Sequence, residues 1–248
     1  MNLTTILLFL ILILTSFAPA DFITDQKKHE RVKTAYTEKG AIVKAALKKN
    51  GVDYDNVNVV FVAYKDEQVI DLYAKTKVET KYLKIASFDI CAKSGLPGPK
   101  SRAGDYQVPE GFYHIDRFNA TSNYYLSLGI NYPNQADRKR SNASNLGGDI
   151  FIHGHCVTIG CLPMTDDKIK EIYVYALQAT QSGQANIPVY IFPFKMTDSN
   201  VTKYSERYKQ DSGLVAFWKN LKIGHDLFLN DLKELNTEAG SKGNYEFN

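Results

Sequence analysis

The sequence predicts an α+β protein with a strand-rich, largely antiparallel core and helices packed outside it. Between residues 57 and 132, short β-branched and aromatic runs follow one another without helices between them, which favours antiparallel pairing. The chain of 248 residues contains 16 Tyr and 13 Phe, residue types that are enriched in strands. Segments with helical spacing flank this region, so we expect helices against a sheet or barrel.

The N-terminus has the pattern of a secretory signal. Residues 3–17 form an apolar run of mainly Ile, Leu and Phe, followed by Ala18-Pro19-Ala20, and such a run before an A-x-A site predicts cleavage after Ala20. Met1 to Thr5 include no Lys or Arg, so an uncleaved anchor is the alternative, although the run is shorter than the ~20 apolar residues of a spanning helix. We expect a periplasmic or secreted protein without stable membrane insertion after cleavage.

The next elements are assigned in chain order. Residues 25–50 have apolar side chains at helical spacing and end at Asn50-Gly51, which is typical of a helix end. Alternating or β-branched runs then predict strands in 57–92 (VNVVFVAYK, QVIDLYAKT and YLKIASFDIC), at 112–118 (FYHIDRF) and at 123–132 (NYYLSLGINY). The Gly/Pro-rich segment 94–111 and the polar segment 133–148 are predicted loops.

The second half of the chain alternates between strand and helix. DIFIH at 149–153 predicts a short buried strand, and Thr165 followed by two acids predicts a helix start that Gly183 closes. A strand at 187–194 and a helix at 211–236 follow, and the tail is polar. We therefore divide the chain into a signal peptide (1–20), an N-terminal helical segment (21–56), a strand-rich central domain (57–195) and a C-terminal helical extension (196–248).

Charge and cysteine content limit the function classes. The net charge of +3 is spread along the chain without a basic block, which argues against a nucleic-acid partner because phosphate binding needs clustered Lys and Arg. The three cysteines are Cys91, Cys156 and Cys161. An odd number in an exported protein leaves at least one thiol unpaired.

The segment 152–161, IHGHCVTIGC, concentrates two histidines and two cysteines after a buried strand and before a helix start. A nearby imidazole or helix N-terminus can convert a thiol into a reactive thiolate, so Cys161 is a candidate nucleophile and His153 its candidate base. Gly160 would let backbone amides face a developing oxyanion. No acid lies nearby in sequence to orient the imidazole, so we expect a backbone carbonyl to do so.

Two other interpretations stay open on the residues alone. His153 and His155, two apart on an extended chain, could join Cys156 or Cys161 in a zinc site, although no C-x-x-C or H-E-x-x-H spacing completes it. The cysteines could also be small buried hydrophobic residues, with a histidine satisfied in the core. His114 and Asp116-Arg117 are expected to end a strand rather than to take part in chemistry.

The same segment resembles the L,D-transpeptidase catalytic domain of the YkuD type, specifically its YafK-like branch. IHGHCVTIGC follows the branch pattern I-H-G-x-C-V-S-x-G-C, and further stretches match in order. These are SGLPGPKSRAGDYQVPEGFYHID (94–116), YYLSLGINYPNQADR (124–138) and GCLPMTD (160–166). The resemblance covers about 57–195 and implies a YkuD-like β-rich sandwich or barrel with no cofactor or metal.

The resemblance also implies residue roles. Cys161 would be the nucleophile and His153 its base; the carbonyl of Gly154 would orient the imidazole, and Gly160 with Cys161 would line the oxyanion hole. The wider family has His where this chain has Ile159, and Arg shortly after the nucleophile where this chain has Leu162-Pro163-Met164. Arg138 and Lys100 are candidates to bind the substrate carboxylate instead, with Thr158 of the motif as a further substrate-binding candidate.

Three expectations follow. His155 is treated as accessory; Cys91 and Cys156 either form a disulfide that leaves Cys161 free or remain two buried thiols. The function implied is acyl transfer through a thioester on peptidoglycan stem peptides, with a wall-linked protein as a further partner. The alternatives are an amide hydrolase of the same family that cleaves crosslinks or protein tethers, and a non-catalytic wall-binding module.

Overall fold

The computed structural model describes residues 20–248, so the predicted signal peptide, apart from Ala20, lies outside the described residues. The helices are α1 Ala20–Gln26, α2 Glu30–Lys49, α3 Gln135–Arg140, α4 Asp166–Gln181, α5 Asp198–Arg207 and α6 Ser212–Asp231. The strands are β1 Val57–Tyr64, β2 Val69–Thr76, β3 Leu83–Asp89, β4 Gly111–Asn119, β5 Ser127–Ile130, β6 Phe151–His153, β7 Leu162–Pro163, β8 Ile187–Phe192, β9 Thr237–Ala239 and β10 Tyr245–Phe247.

One eight-stranded sheet in the order β3-β2-β1-β8-β4-β5-β6-β7 organises the molecule. Its strand pairs are antiparallel except β1 with β8 and β6 with β7, which are parallel. The last strand of this sheet along the chain, β8, lies at its centre and joins β1 to β4. The predicted α+β class, with helices packed outside a largely antiparallel sheet, is confirmed.

Alternate residues of the central strands are buried on opposite faces of the sheet. Val59 and Phe61 of β1 belong to a core covered by α2 and α4, whereas Val60 and Val62 belong to a second core under α5, α6 and the β9–β10 hairpin. We call these sides the α4 face and the α6 face. The helices of the α6 face cover the β2-β1-β8 side of the sheet, where the second core lies.

A buried polar network ties α6 to the sheet. Lys65 donates from Nζ to Glu110 Oε1 at 2.8 Å, and Trp218 Nε1 donates to Glu110 Oε2 at 2.9 Å. Glu110 Oε1 also accepts from the amide of Gly98 at 2.7 Å. Because all three side chains are buried, each charge and donor needs these partners.

Five local predictions differ from the structure. The N-terminal helix is two helices that break at Lys27–His29, and the loop 133–148 contains α3, which a reciprocal Asn134–Asp137 capping box starts. Residues 198–207 form α5, capped by Thr197. Helix α6 ends at Asp231, before residue 236, because Leu232 adopts a left-handed conformation, and the polar tail forms the β9–β10 hairpin.

None of the helices within residues 20–248 combines the length and the apolar character that crossing a membrane requires.

Candidate active site

Strand register brings the motif residues onto the α6 face, at the edge that the helices leave open. Arg117 of β4 is level with Gly129 of β5 and Phe151 of β6. Because Ile152 is level with Leu162 in the parallel pair, Cys161 is the neighbour of Phe151 in this row. Ile152 and Leu162 pack in the core of the α4 face, so the alternating residues Phe151 and Cys161 face the other way.

The adjacent row of the same face contains the histidine. Ser127 of β5 is level with His153, and His153 with Pro163. His153 therefore lies on the same face as Cys161, one strand away and two residues along, which makes the two side chains diagonal neighbours. The structure thus brings together the two residues that the sequence singled out as nucleophile and base.

The His153 ring is fixed on two sides. Nδ1 lies 2.6 Å from the carbonyl oxygen of Gly154, and since a carbonyl can only accept, Nδ1 carries the proton and Nε2 keeps its lone pair. The ring of Tyr124 lies on His153 with centroids 4.7 Å apart. A side chain at Gly154 would place its Cβ 2.6 Å from Asp166 Oδ1, so glycine is required for this close approach.

The Cys161 thiol is the free cysteine of the chain and is partly exposed. Its Sγ lies 3.7 Å from the carbonyl oxygen of Asp149, to which the thiol donates. Burial raises the pKa of Cys161, with the Asp149 carboxylate in the same direction, while a hydrogen bond from the Phe151 amide and the charge of Lys100 act against this rise. Burial also lowers the pKa of His153, against the hydrogen bond to Gly154.

These shifts describe a neutral pair. A thiol with a raised pKa and an imidazole with a lowered pKa favour thiol and free base over thiolate and imidazolium. Both directions favour a neutral pair over the preformed thiolate that the sequence suggested, and they leave His153 available as a proton acceptor.

Thr158 organises the turn before the thiol. Its Oγ1 accepts from the amides of Gly160 at 3.1 Å and Cys161 at 2.8 Å, and donates to the Cys161 carbonyl at 2.8 Å. Gly160 has φ +138°, and a Cβ there would lie 3.0 Å from the carbonyl oxygen of Gln107. The two amides assigned to the oxyanion hole thus already have an acceptor, and the Thr158 hydroxyl is engaged with backbone.

A disulfide between Cys91 and Cys156 anchors the segment between His153 and Cys161 to the end of β3, with Cα atoms 5.5 Å apart. This pairing was one of the two alternatives left open by the sequence, and it removes Cys156 as a metal ligand. His155, half exposed, donates its amide to Asp166 Oδ1 at 2.8 Å, and its Nε2 lies 3.6 Å from Asp166 Oδ2. No group of three or more His, Cys, Asp or Glu side chains suited to a metal ion is present among residues 20–248.

The two residues predicted to bind the substrate carboxylate, Lys100 and Arg138, differ in burial and in their partners. Lys100 is buried, pairs with Asp105 at 2.7 Å and donates to the Arg102 carbonyl at 2.9 Å, so two of its three N–H donors are engaged within its own loop. Arg138 is exposed on α3, and within the described chain its guanidinium makes no hydrogen bond or ion pair. Ile159, at the position of the wider family's histidine, is 74% exposed.

Sequence reasoning missed three residues of this face. Tyr124 covers His153, and Ser127 is its buried cross-strand neighbour, whose hydroxyl lacks a hydrogen-bond partner in the described structure. Arg117, which the sequence placed at a strand end, reaches Asp149 at 2.9 Å. Only the register of β4, β5 and β6 makes these residues neighbours of the thiol, and no local motif encodes that register.

Comparison with known proteins identifies the family to which the sequence was similar. Residues 58–191 match the family YkuD, L,D-transpeptidase catalytic domain. The Escherichia coli K12 protein named "Putative L,D-transpeptidase YafK" is 39% identical over 167 residues, which cover 66% of this chain and 64% of that protein, less than two thirds of its length.

Solved structures are similar at lower identity. The helical cell shape determining protein Pgp2 from Campylobacter jejuni is 17% identical, covers 74% of both chains and gives a TM-score of 0.45. Bd1075 from Bdellovibrio bacteriovorus is also 17% identical, with a TM-score of 0.41 over 73% of this chain and 74% of that one.

Proposed function

The chain belongs to the YkuD family of L,D-transpeptidase catalytic domains, and from this we propose that it is an exported cysteine acyltransferase acting on peptidoglycan stem peptides. The observation that carries the proposal is the placement of Cys161 and His153 as diagonal neighbours on the open part of the α6 face. A wall-binding module has no need of a thiol beside an imidazole whose Nδ1 is held by a carbonyl and whose Nε2 can accept a proton.

In the first half-reaction, Sγ of Cys161 attacks the carbonyl carbon of the donor amide while Nε2 of His153 takes the thiol proton. The neutral thiol–imidazole pair suits this order, because the base is free before attack. The C–N bond then breaks, the amine leaves with the proton from His153, and a thioester on Cys161 remains.

In the second half-reaction, an acceptor amine attacks the thioester carbonyl and gives its proton to His153, and the thiol is restored when that proton returns to Sγ. The oxyanion of each tetrahedral intermediate would take the amides of Gly160 and Cys161 as donors in place of the Thr158 hydroxyl. Thr158 is therefore assigned to positioning these amides rather than to holding substrate.

Export and the division into domains are part of the proposal. The Ala18-Pro19-Ala20 site is assigned to signal cleavage, residues 57–195 to the catalytic domain, and residues 196–248 to a helical extension. A disulfide between Cys91 and Cys156 is consistent with an oxidising compartment outside the cytoplasm. The proposed partners are peptidoglycan stems and a wall-linked protein.

The test is incubation of mature protein, residues 21–248, with purified peptidoglycan fragments, followed by mass spectrometry, with Cys161→Ala as the matched control. A new crosslink or an exchanged terminal residue that the variant does not produce supports transpeptidation. Cleavage without a transfer product would instead identify an amide hydrolase that uses the same thiol. No turnover of wall fragments or of wall-linked protein would contradict both and favour a binding module.

A further inference from the structure

A buried lysine that the reaction above does not use lies close to the thiol. Lys65 follows β1 and lines the same narrow crevice as Cys161. Its ammonium donates to three acceptors, each at 2.8 Å: the carbonyl oxygens of Gly98 and Val108 and the Oε1 atom of Glu110. All three N–H donors of the lysine are therefore engaged.

Stability alone does not explain this arrangement. Taking an ammonium and a carboxylate out of water is costly, and apolar residues of similar volume often stabilise a fold as well as a buried ion pair does. Glu110 also accepts from the Gly98 amide at 2.7 Å and from Trp218 Nε1 at 2.9 Å. The lysine adds a fixed position, because one nitrogen atom holds two carbonyl groups that are distant in sequence.

Residues 94–108, which we call the wall loop, have ends that lie side by side. The Leu96 amide donates to Gln107 Oε1 at 3.1 Å, which joins the two ends once. Lys65 joins them a second time through the two carbonyl groups. Since Val108 directly follows Gln107, the position of the Gln107 backbone depends on the bond that the lysine makes to Val108.

The Gln107 backbone in turn packs against the turn that contains the oxyanion-hole amides. A Cβ at Gly160 would have three nearest neighbours, all of them backbone atoms of Gln107, with the carbonyl oxygen at 3.0 Å. The Gly160 amide also donates to Thr158 Oγ1, so this residue is held from two sides. A displacement of the Gln107 backbone would therefore remove one of the two supports of Gly160.

We propose that Lys65 is a positioning residue for the oxyanion hole. It fixes the Val108 carbonyl and with it the Gln107 backbone. That backbone supports Gly160, whose amide acts with the Cys161 amide on the oxyanion. The inference rests on the proposed function, because acyl transfer is the reaction that needs an oxyanion hole. The lysine acts on the reaction through the backbone and not through its charge.

The test compares two reagents that modify Cys161 of the mature protein, residues 21–248, by different chemistry. With p-nitrophenyl acetate, Sγ attacks the ester carbonyl, His153 takes the thiol proton, p-nitrophenolate leaves and an acetyl thioester forms, so the reaction passes through an oxyanion. With iodoacetamide, Sγ loses its proton and displaces iodide from a saturated carbon, and no oxyanion forms. Cys161→Ala gives the background of each reagent, and mass spectrometry identifies the adducts.

Lys65→Met keeps a side chain of similar length and removes the three donors. We expect acetylation of Cys161 to slow about 10- to 100-fold, because the amides of the oxyanion hole are displaced. Alkylation, which depends on the thiolate fraction, should stay within about threefold of wild type. Lys65→Met/Glu110→Gln also removes the buried carboxylate that the single variant leaves without its cation, and should show the same selective loss.

Trp218→Phe is the matched control. It removes a donor from the other oxygen of the same carboxylate and leaves the three bonds of Lys65 in place. Its urea midpoint should fall, while both reaction rates at Cys161 should stay within about threefold of wild type. A loss of acetylation as large as that of Lys65→Met would show that general destabilisation accounts for the effect, and would overturn the proposal.

A double-mutant cycle with Thr158→Val locates the effect. Both residues are assigned to the same two amides, so the loss of acetylation in Lys65→Met/Thr158→Val should be smaller than the product of the two single losses. Losses that multiply fully would contradict the proposal. So would unchanged acetylation in Lys65→Met/Glu110→Gln, or an equal loss with both reagents.

The two reagents also separate this proposal from the proposed function. Neither reagent contains a wall peptide, so the role of Lys65 is decided even if wild type turns over no wall fragment. That result would contradict only the proposed substrate. Selective loss of acetylation in the Lys65 variants would still support the lysine as a positioning residue.

Discussion

The two halves of the α6 face have the same strand alternation but carry different kinds of side chain at the outward positions. On the β2-β1-β8 side, the outward positions hold large residues: Tyr73 and Tyr190 pack against Phe228, and Phe192 packs against His225. On the β5-β6-β7 side, the equivalent positions are Ser127, Gly129, Phe151, His153 and Cys161. Aromatic side chains of the first half pack against helix α6, whereas four of the five positions in the second half are small or polar.

The comparison teaches that stability and chemistry are separated along one sheet. Removing a side-chain group from the covered half should lower the free energy of unfolding. Removing one from the open half should lower the turnover rate. The five predictions below test that separation and the catalytic pair, beginning with the largest expected effect.

Cys161→Ala should lower turnover of stem peptides by about a thousandfold or more, because the acyl-enzyme cannot form. Its free energy of unfolding should change by less than about 1 kcal/mol, since the thiol is partly exposed and donates one long hydrogen bond. Steady-state kinetics and urea denaturation measure the two quantities. A large loss of stability would show that the open half also supports the fold.

Trp218→Ala should lower the free energy of unfolding by about 3–5 kcal/mol, because it empties an aromatic core site and leaves Glu110 Oε2 without its donor. Trp218→Phe keeps a ring and removes only the donor, so about 1–3 kcal/mol is expected. The folded fraction should keep its kcat within about threefold. A kcat loss as large as that of Cys161→Ala would contradict the separation.

Thr158→Val removes the acceptor for two amides and should reduce kcat about 10- to 100-fold with little change in KM. Thr158→Ser keeps the hydroxyl and should retain most of the rate. A rise in KM with unchanged kcat would return Thr158 to substrate binding, the role that the sequence suggested.

The pH profile gives the smallest effect. Burial lowers the pKa of His153, so the acid limb of kcat/KM should have its midpoint below the ordinary value of 6.5, and activity rises with pH through that midpoint. Because the pKa in the folded state lies below the unfolded value, stability should fall as pH drops below 6.5. His153→Gln should reduce this loss of stability in urea titrations at several pH values.

The thiol provides an independent check of the same pair. Since burial raises the pKa of Cys161, its alkylation by iodoacetamide should have a midpoint above 9.0. A midpoint well below that value would indicate the thiolate–imidazolium pair that the resting structure does not have.

Much of the fold could be predicted from local sequence signals. The Thr165 cap, the Asn50-Gly51 helix end and the β-branched runs of β1 and β8 each encode their element within a few residues. Helix α3 was missed because its six residues lie in a polar stretch, and the β9–β10 hairpin because the tail has few apolar residues.

The candidate site also contains residues that local sequence signals predict and residues that they do not. Cys161, His153 and Gly154 lie in one motif, and their neighbourhood follows from a strand and the turn after it. Arg117 and Ser127 come from other strands, and their place depends on a bulge and on register, which alternation alone does not fix. Lys100 remains a predicted carboxylate-binding residue, and the ion pair with Asp105 of the same loop was not anticipated from the sequence.

The central position of β8 also sets the order in which the molecule can be assembled. Phe61 pairs with Val189, and Tyr113 pairs with the same residue, so within the sheet β1 and β4 are joined through a strand made late in the chain. Contacts between residues so far apart in sequence form slowly, because a long loop must close first. The eight-stranded sheet therefore cannot be completed until residue 192 has been synthesised, so its two halves are joined late in folding.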